Sequence, residues 1–334
     1  MKNTANQKGF VIKRLQSGGV ITNYFCTSSC GHCLYFCSSK WKKDYIEKGM
    51  LVQIIEKIRS LGCCSIHIGG GEPFLDLSGL KMVVETCRSA NIGIEYVETN
   101  SSWYKGMNSA CEILSSLKER GLSALLVSMS PFHNEHIPFF KVKGVMDACN
   151  TVGMNTFPWI SDFYSEIDAF DDRKTHTLDE YENRYGPDYL INLLSRYWIH
   201  PGGRALKTYS RISKLTPYEE ILSSNPGGCS ELMDVSHFHF DLFGNYIPGL
   251  CSGLALHYTD LGSVVTPEKY PFLHILFQGG VAHLLKFVSD EYGFTPAKGY
   301  ISKCHLCFEI RRYLVMEKGV KTKEFQPRGF YEEN

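Results

Sequence analysis

Through the first two-thirds of the chain, short β-branched or apolar runs alternate with longer stretches whose apolar residues recur at helical spacing. Candidate strands lie at residues 19–24, 65–68, 93–98, 124–129, 155–160 and 197–200; helical periodicity covers 51–61, 77–90, 109–119, 142–151 and 178–195. Such alternation argues for βα units and a parallel sheet. In α/β barrels of this kind, function gathers on the loops that follow the carboxyl ends of the strands. The polar segment 161–177, after the fifth candidate strand, reads equally as a substrate loop or a solvated connection. Beyond about Lys214 the texture changes. Residues 235–242 alternate strictly, with His237, His239 and Asp241 on one face and Phe238, Phe240 and Leu242 on the other. Gly244-Asn245 offers a turn, and the following apolar residues can return as the second strand of a hairpin.

Size and charge exclude more than they assign. A chain of 334 residues allows about two domains and can bury a sizeable core without disulfides. Lys and Arg total 35, as do Asp and Glu, so no basic surface announces nucleic acid. The N-terminal residues are polar and unlike a signal peptide, and no apolar run reads as a bilayer span. Thirteen cysteines without an export signal point to a reducing, cytoplasmic setting, where thiols ligate metal rather than pair.

The positions of those cysteines carry the chemistry. Cys26, Cys30 and Cys33 form a C-x3-C-x2-C pattern on the loop after the first candidate strand. Zinc patterns usually pair two C-x2-C units or add spaced histidines, and no second unit lies nearby. On a 4Fe–4S cluster, three thiolates leave one iron corner open, as catalytic metal sites are and structural ones are not. Cys37 extends the pattern to C-x3-C-x2-C-x3-C, which could instead close the cluster and make an electron carrier. A glycine-rich turn, Gly69-Gly70-Gly71-Glu72-Pro73, follows the second candidate strand. Glycines there permit close ligand approach, and Glu72 can receive a cationic amine. An electron carrier has no role for such a turn.

The cysteine loop and the Gly-Gly-Glu-Pro turn resemble those of the radical S-adenosylmethionine (radical SAM) superfamily, with His32 where many members carry an aromatic residue. The resemblance implies an open (β/α)6 partial TIM barrel over residues 15–213. It also implies a 4Fe–4S cluster on Cys26, Cys30 and Cys33, with S-adenosylmethionine on the open iron. Gly70, Gly71 and Glu72 would meet the methionine amine, and Glu98 and Asn100 the ribose or methionine. Ser128 would meet the methionine moiety, and Arg204 its carboxylate. In the loop after the fourth strand, His133 and Glu135 are candidate proton-transfer residues; the alternative is helix capping and ordinary hydrogen bonding.

Cys229 and Cys251 bracket the hairpin, and Cys304 and Cys307 form a distant C-x2-C pair. Four such cysteines suit a fully ligated cluster or a zinc site. Their arrangement resembles the Twitch form of the superfamily's C-terminal extension, a shortened SPASM domain that implies an auxiliary 4Fe–4S cluster across 214–320. Six residues separate Gly244 from Cys251 where the family pattern has four. His237, His239 or His305 could replace a cysteine, though a hydrogen-bonded histidine is the plainer reading. Residues 1–14 and 321–334 read as terminal extensions. The implied activity is hydrogen abstraction from a small-molecule or peptide substrate after reductive cleavage of S-adenosylmethionine, ending in oxidation or bond formation. A flavodoxin or ferredoxin would be the reductant.

Overall fold

A computed structural model describes residues 9–196 and 199–332. Five parallel strands follow the expected order: β1 (Gly18–Ile21), β2 (Ser65–Gly69), β3 (Gly93–Thr99), β4 (Ala124–Val127) and β5 (Asn155–Pro158). Beyond a two-residue strand β6 (Thr216–Pro217) come β7 (Phe238–Asp241), β8 (Asn245–Ile247) and β9 (Leu256–His257). These three join the same sheet, whose order is β5-β4-β3-β2-β1-β7-β8-β9. Strand β7 runs parallel to β1, and β8 and β9 then return antiparallel. A separate two-stranded ribbon pairs β6 with β10 (Gly299–Tyr300).

The result is a mixed α/β partial barrel, mostly parallel, as the alternation of elements required. The helices Lys48–Ser60, Leu77–Ser89, Met107–Glu119 and Phe139–Val152 bury one apolar face each, for example Leu51, Ile54, Ile55 and Ile58 on the first. Each such side chain contributes about 1.5–3 kcal/mol on burial. Strand β4, Ala-Leu-Leu-Val, is buried throughout, as a strand covered on both faces must be.

Four expectations are corrected. The helix read over 178–195 is two helices, Leu178–Tyr185 and Tyr189–Arg196, because Gly186 takes φ 109° and Pro187 follows it. Of the sixth candidate strand, residues 197 and 198 lie outside the described residues, and Ile199 and His200 belong to no strand. The sheet grows instead from its β1 edge, so the C-terminal hairpin extends the barrel sheet rather than forming a sheet of its own. Residues 321–332 are not an appendage either. Glu324 accepts hydrogen bonds from the Phe272 and Leu273 amides at the start of the helix Pro271–Tyr292, and Phe325, Phe330 and Tyr331 are buried.

That helix is also long and apolar enough, by length and composition, to cross a membrane, a run the sequence reading passed over. In the fold it breaks at Gly280 (φ 62°, ψ −155°) and buries Leu273, Leu276, Leu284 and Val288 in the core.

Candidate active site

The loop after β1 is held from three sides. Its Cys26 amide donates to the Ser38 carbonyl (3.1 Å), and the Cys33 amide to the Cys30 carbonyl (3.0 Å). Arg204 braces it from beneath: its guanidinium donates to the Cys30 carbonyl (2.8 Å) and to that of Cys37, and its amide to the Cys33 carbonyl (2.9 Å). Gly203 (φ 56°) lies so close to the Cys33 and Leu34 carbonyls that a Cβ could not fit. With its guanidinium committed to backbone oxygens, Arg204 orders the cysteine loop rather than offering both prongs to a ligand carboxylate. The Cys26 sulfur accepts from the Ser28 amide (3.4 Å) and the Asn100 side-chain amide (3.3 Å), contacts that favour a thiolate.

Cys37 is buried against this set, and no helix carries it; the next helix begins at Lys48. A side-chain hydrogen bond from Cys37, and then the Arg204 charge, pull the Cys33 thiol below its usual range, against burial. Burial pushes Cys26 up to about 12 and Cys30 well above the ordinary thiol value. Cys33 ionises readily while burial holds the Cys26 and Cys30 thiols protonated, so a thiolate set here needs a bound cation, and three such donors fit a metal cluster.

The glycine turn packs onto the residues that lead into the cysteine loop. The Gly71 amide donates to the Asn23 carbonyl (2.7 Å) and to Asn23 Oδ1 (3.1 Å), and the Glu72 amide to the Phe25 carbonyl (3.1 Å). Asn23 Nδ2 in turn donates to the carbonyls of Glu72 (3.2 Å) and Phe25 (3.3 Å). A Cβ at Gly71 would overlap the Phe25 carbonyl, so only glycine allows this approach. Glu72 departs from its expected role. Its carboxylate accepts from the Asn100 amide (2.6 Å), the Phe74 amide (3.1 Å) and the Thr99 hydroxyl (3.0 Å), stapling the turn to the end of β3. Burial raises it to about 7. The cavity is met by Gly70, Gly71 and Pro73, not by this side chain. Asn23 was missed in the sequence. Its replacement by alanine is expected to cost about 1–3 kcal/mol, read as a lower denaturation midpoint, because it removes three hydrogen bonds that tie the turn to the cysteine loop.

A cavity of about 250 Å3 opens where these elements meet. Cys26, Cys30, Cys33, Gly70, Gly71, Glu98, Asn100, Ser128 and His133 all line it. Cys37, His32, His237 and His239 line it as well. Burial, followed by the neighbouring Cys33 charge, raises Glu98 to about 7. His133 hydrogen-bonds Ser130 Oγ through Nδ1 (2.8 Å), and burial, then His136, lowers it to about 3, so its ring is neutral. His32 stacks on Phe132 (4.8 Å) and Trp159 (5.4 Å), filling the aromatic position by packing. Glu135 is not among the lining residues. It ends the short helix Pro131–Asn134 and accepts a backbone hydrogen bond from Leu178.

The four C-terminal cysteines come together although 78 positions separate Cys229 from Cys307. Cys229 precedes a 3-10 turn, Cys251 follows another, and Cys304 and Cys307 lie in the first two turns of the helix Lys303–Met316. All four line a second cavity of about 290 Å3. Arg311, 4% exposed, donates to the Ser252 carbonyl (3.0 Å) and the Tyr331 hydroxyl (2.7 Å) and adjoins Cys251 and Cys307. Lys303 adds a second cation, paired with Glu231 (2.8 Å). The Glu231 carboxylate also accepts from the Cys229 thiol (3.0 Å), so Arg311 is the cation that suits a site which becomes anionic when loaded. His305 stays out of this set, its Nδ1 accepting from the Ile301 amide (3.3 Å), and His237 and His239 belong to the barrel cavity.

Fold and site together define an α/β protein with a three-cysteine loop and a Gly-Gly-Glu-Pro turn at the carboxyl edge of a partial barrel, the features through which the sequence resembles the radical SAM superfamily. No protein-family model matches the chain. An uncharacterized protein of Methanocaldococcus jannaschii, MJ0804, is 28% identical over 133 residues, which is 38% of this chain and 43% of that protein, so the match spans under half of the relative's length. Among solved structures, the chain is similar to BtrN in complex with AdoMet and 2-DOIA (14% identity, 81% of this chain and 90% of that one, TM-score 0.44). It is also similar to anSMEcpe with bound AdoMet (14%, 95% and 98%, TM-score 0.45) and to Streptococcus suis SuiB (12%, 72% and 61%, TM-score 0.34). All three scores lie below 0.5, and the reading that follows rests on this chain's own residues.

Proposed function

We propose that this protein is a radical SAM enzyme with one auxiliary iron–sulfur cluster, acting on a small-molecule or peptide substrate. The observation that carries the reading is the shared cavity: the three thiols of the C-x3-C-x2-C loop, with Cys37 beside them, face the same space as the glycine turn, Asn100 and Ser128. When bound, a 4Fe–4S cluster with an open corner supplies the electron that cleaves S-adenosylmethionine to a 5′-deoxyadenosyl radical, which removes a substrate hydrogen. Cys26, Cys30 and Cys33 hold that cluster, and Asn100 and the Ser28 amide donate to the Cys26 sulfur. Gly70 and Gly71 bring backbone to the methionine end of S-adenosylmethionine. Glu98 and His133 face the cavity as groups that hold or move a proton, and the aromatic wall of His32 and Trp159, with Phe132 packed behind His32, excludes water. Cys229, Cys251, Cys304 and Cys307 hold the auxiliary cluster, with Arg311 offsetting its charge. A cluster held there would accept an electron from the substrate radical, giving an oxidation or a bond formation, or would bind the substrate directly; a flavodoxin or ferredoxin would be the reductant.

Anaerobically reconstituted protein, given strong reductant and S-adenosylmethionine, is expected to release 5′-deoxyadenosine. Its absence from protein with a full iron count would reject the proposal.

A specific contact favours a second reading. The Cys37 thiol hydrogen-bonds Cys33 and lines the same cavity, so it could close the cluster and make an electron carrier. The variant Cys37→Ser separates the two. With an open corner it keeps its iron and its spectral response to S-adenosylmethionine; a carrier loses iron and never shows that response.

A further inference from the structure

The inner wall of the barrel holds a histidine cluster that the chemistry above does not use. His67 on β2 and His239 on β7 stand in the same row, on either side of Gly19 on β1. Strands two places apart are about 9.5 Å apart, too far for side chains to meet over an ordinary residue. Here the row's central position has no side chain, and a Cβ at Gly19 would overlap the His67 imidazole. The two rings therefore close over the glycine, with Nε2 to Nε2 at 2.9 Å. His237, two residues before His239 and on the same face, brings a third ring 5.0 Å from that of His239 and 5.3 Å from that of His67. One ligand nitrogen from each of the three falls within 4.8 Å of the others.

The surroundings match those of ligating histidines. Tyr35 Oη lies 2.7 Å from His239 Nδ1, so an Nδ1–H donated to it leaves the Nε2 lone pair directed at the cluster. Tyr96 stacks on His67 at 5.2 Å and 7°, fixing that ring. Burial lowers all three histidines, which keeps them neutral and able to coordinate. Imidazole nitrogens bind zinc tetrahedrally at about 2.0–2.1 Å, which places two ligands about 3.3 Å apart, so His67 and His239 need separate by only a few tenths of an ångström to share an ion. A plain hydrogen bond between His67 and His239 would explain their distance. His237, stacked on His67 at 19°, adds a third imidazole whose ligand nitrogen lies within 4.8 Å of the other two.

We propose that His67, His237 and His239 bind one divalent metal ion of the zinc or iron(II) class on the wall of the reaction cavity. His237 and His239 line that cavity, so the open coordination positions face it and would take an oxygen donor of the substrate, a hydroxyl, carbonyl or carboxylate. The ion would then orient the substrate, and the inference goes beyond the cluster chemistry proposed above.

The test uses full-length, cluster-loaded protein equilibrated anaerobically with zinc alone and freed of loose metal. One zinc per chain is expected, with a first shell of nitrogen and oxygen at about 2.0 Å in zinc-edge X-ray absorption. His237→Ala and His239→Gln should weaken zinc retention at least about tenfold, and Tyr35→Phe, which removes no ligand, should also weaken it. Iron and sulfide counts should stay at the wild-type level. No bound zinc, a sulfur shell at about 2.3 Å, or retention unchanged in the histidine variants would overturn the proposal. If the variants fail to fold, the absorption spectrum of the wild-type protein decides alone. None of these readouts depends on S-adenosylmethionine cleavage, so failure here and failure of the enzyme assignment are told apart.

Discussion

Cys30→Ala is expected to abolish 5′-deoxyadenosine formation while leaving the second cluster in place. Iron in the reconstituted protein should fall by about four atoms per chain, the content of one 4Fe–4S cluster. The asymmetry follows from geometry. Cys30 is buried, lines the barrel cavity, and sits where Arg204 fastens the loop through its carbonyl. That hydrogen bond uses the backbone and survives the substitution, so the loop keeps its path and loses one ligand. The four C-terminal cysteines line the other cavity, and among the described residues only Leu250 and His200 line both. The matching variant Cys307→Ala should lose a similar amount of iron yet still cleave S-adenosylmethionine, with substrate turnover lost. Iron counting and product analysis on the two variants test the assignment of each cysteine set. If Cys30→Ala keeps full iron and still forms 5′-deoxyadenosine, the N-terminal ligand set is wrong.

Much of this site was legible because the chemistry is local in sequence. The spacing of Cys26, Cys30 and Cys33, the turn at residues 69–73 and the helical period of the flanking segments each lie within one short window. What failed to show was pairing between distant segments. Alternation over residues 235–242 reveals which residues share a face but not which strand lies alongside, so the hairpin read as a separate unit when it extends β1. Glu72 looked like a ligand group because its partners, Thr99 and Asn100, come from another strand. The histidine cluster was half visible: His237 and His239 were noted, but not that Gly19 leaves room for His67. Residues 321–332 carry too few apolar positions to show a period, yet each of the large ones is buried.

That last segment sets the second large effect. Phe330 is fully buried and packs its ring on Tyr24 (5.2 Å), Phe36 (5.6 Å) and Trp41 (5.9 Å), all from the loop that carries the N-terminal cysteines or its approach. The neighbouring Tyr331 hydroxyl donates to the Gly253 carbonyl (2.5 Å) and accepts from Arg311 beside the C-terminal cysteines (2.7 Å). One short helix therefore clamps both cysteine sites. Phe330→Ala is expected to cost about 3–5 kcal/mol, the range for truncating a buried aromatic ring, read as a lower denaturant midpoint. Because the lost contacts lie under the cysteine loop, the N-terminal cluster should also become the more labile of the two to chelators. Glu332→Ala, two residues on, removes only an exposed pairing with Arg328 (2.9 Å) and should change stability by less than about 1 kcal/mol. Equal, small effects from both substitutions would show that the C-terminal segment does not support the loop. A large loss from Phe330→Ala alone ties the stability of the N-terminal metal site to residues about 300 positions away in sequence.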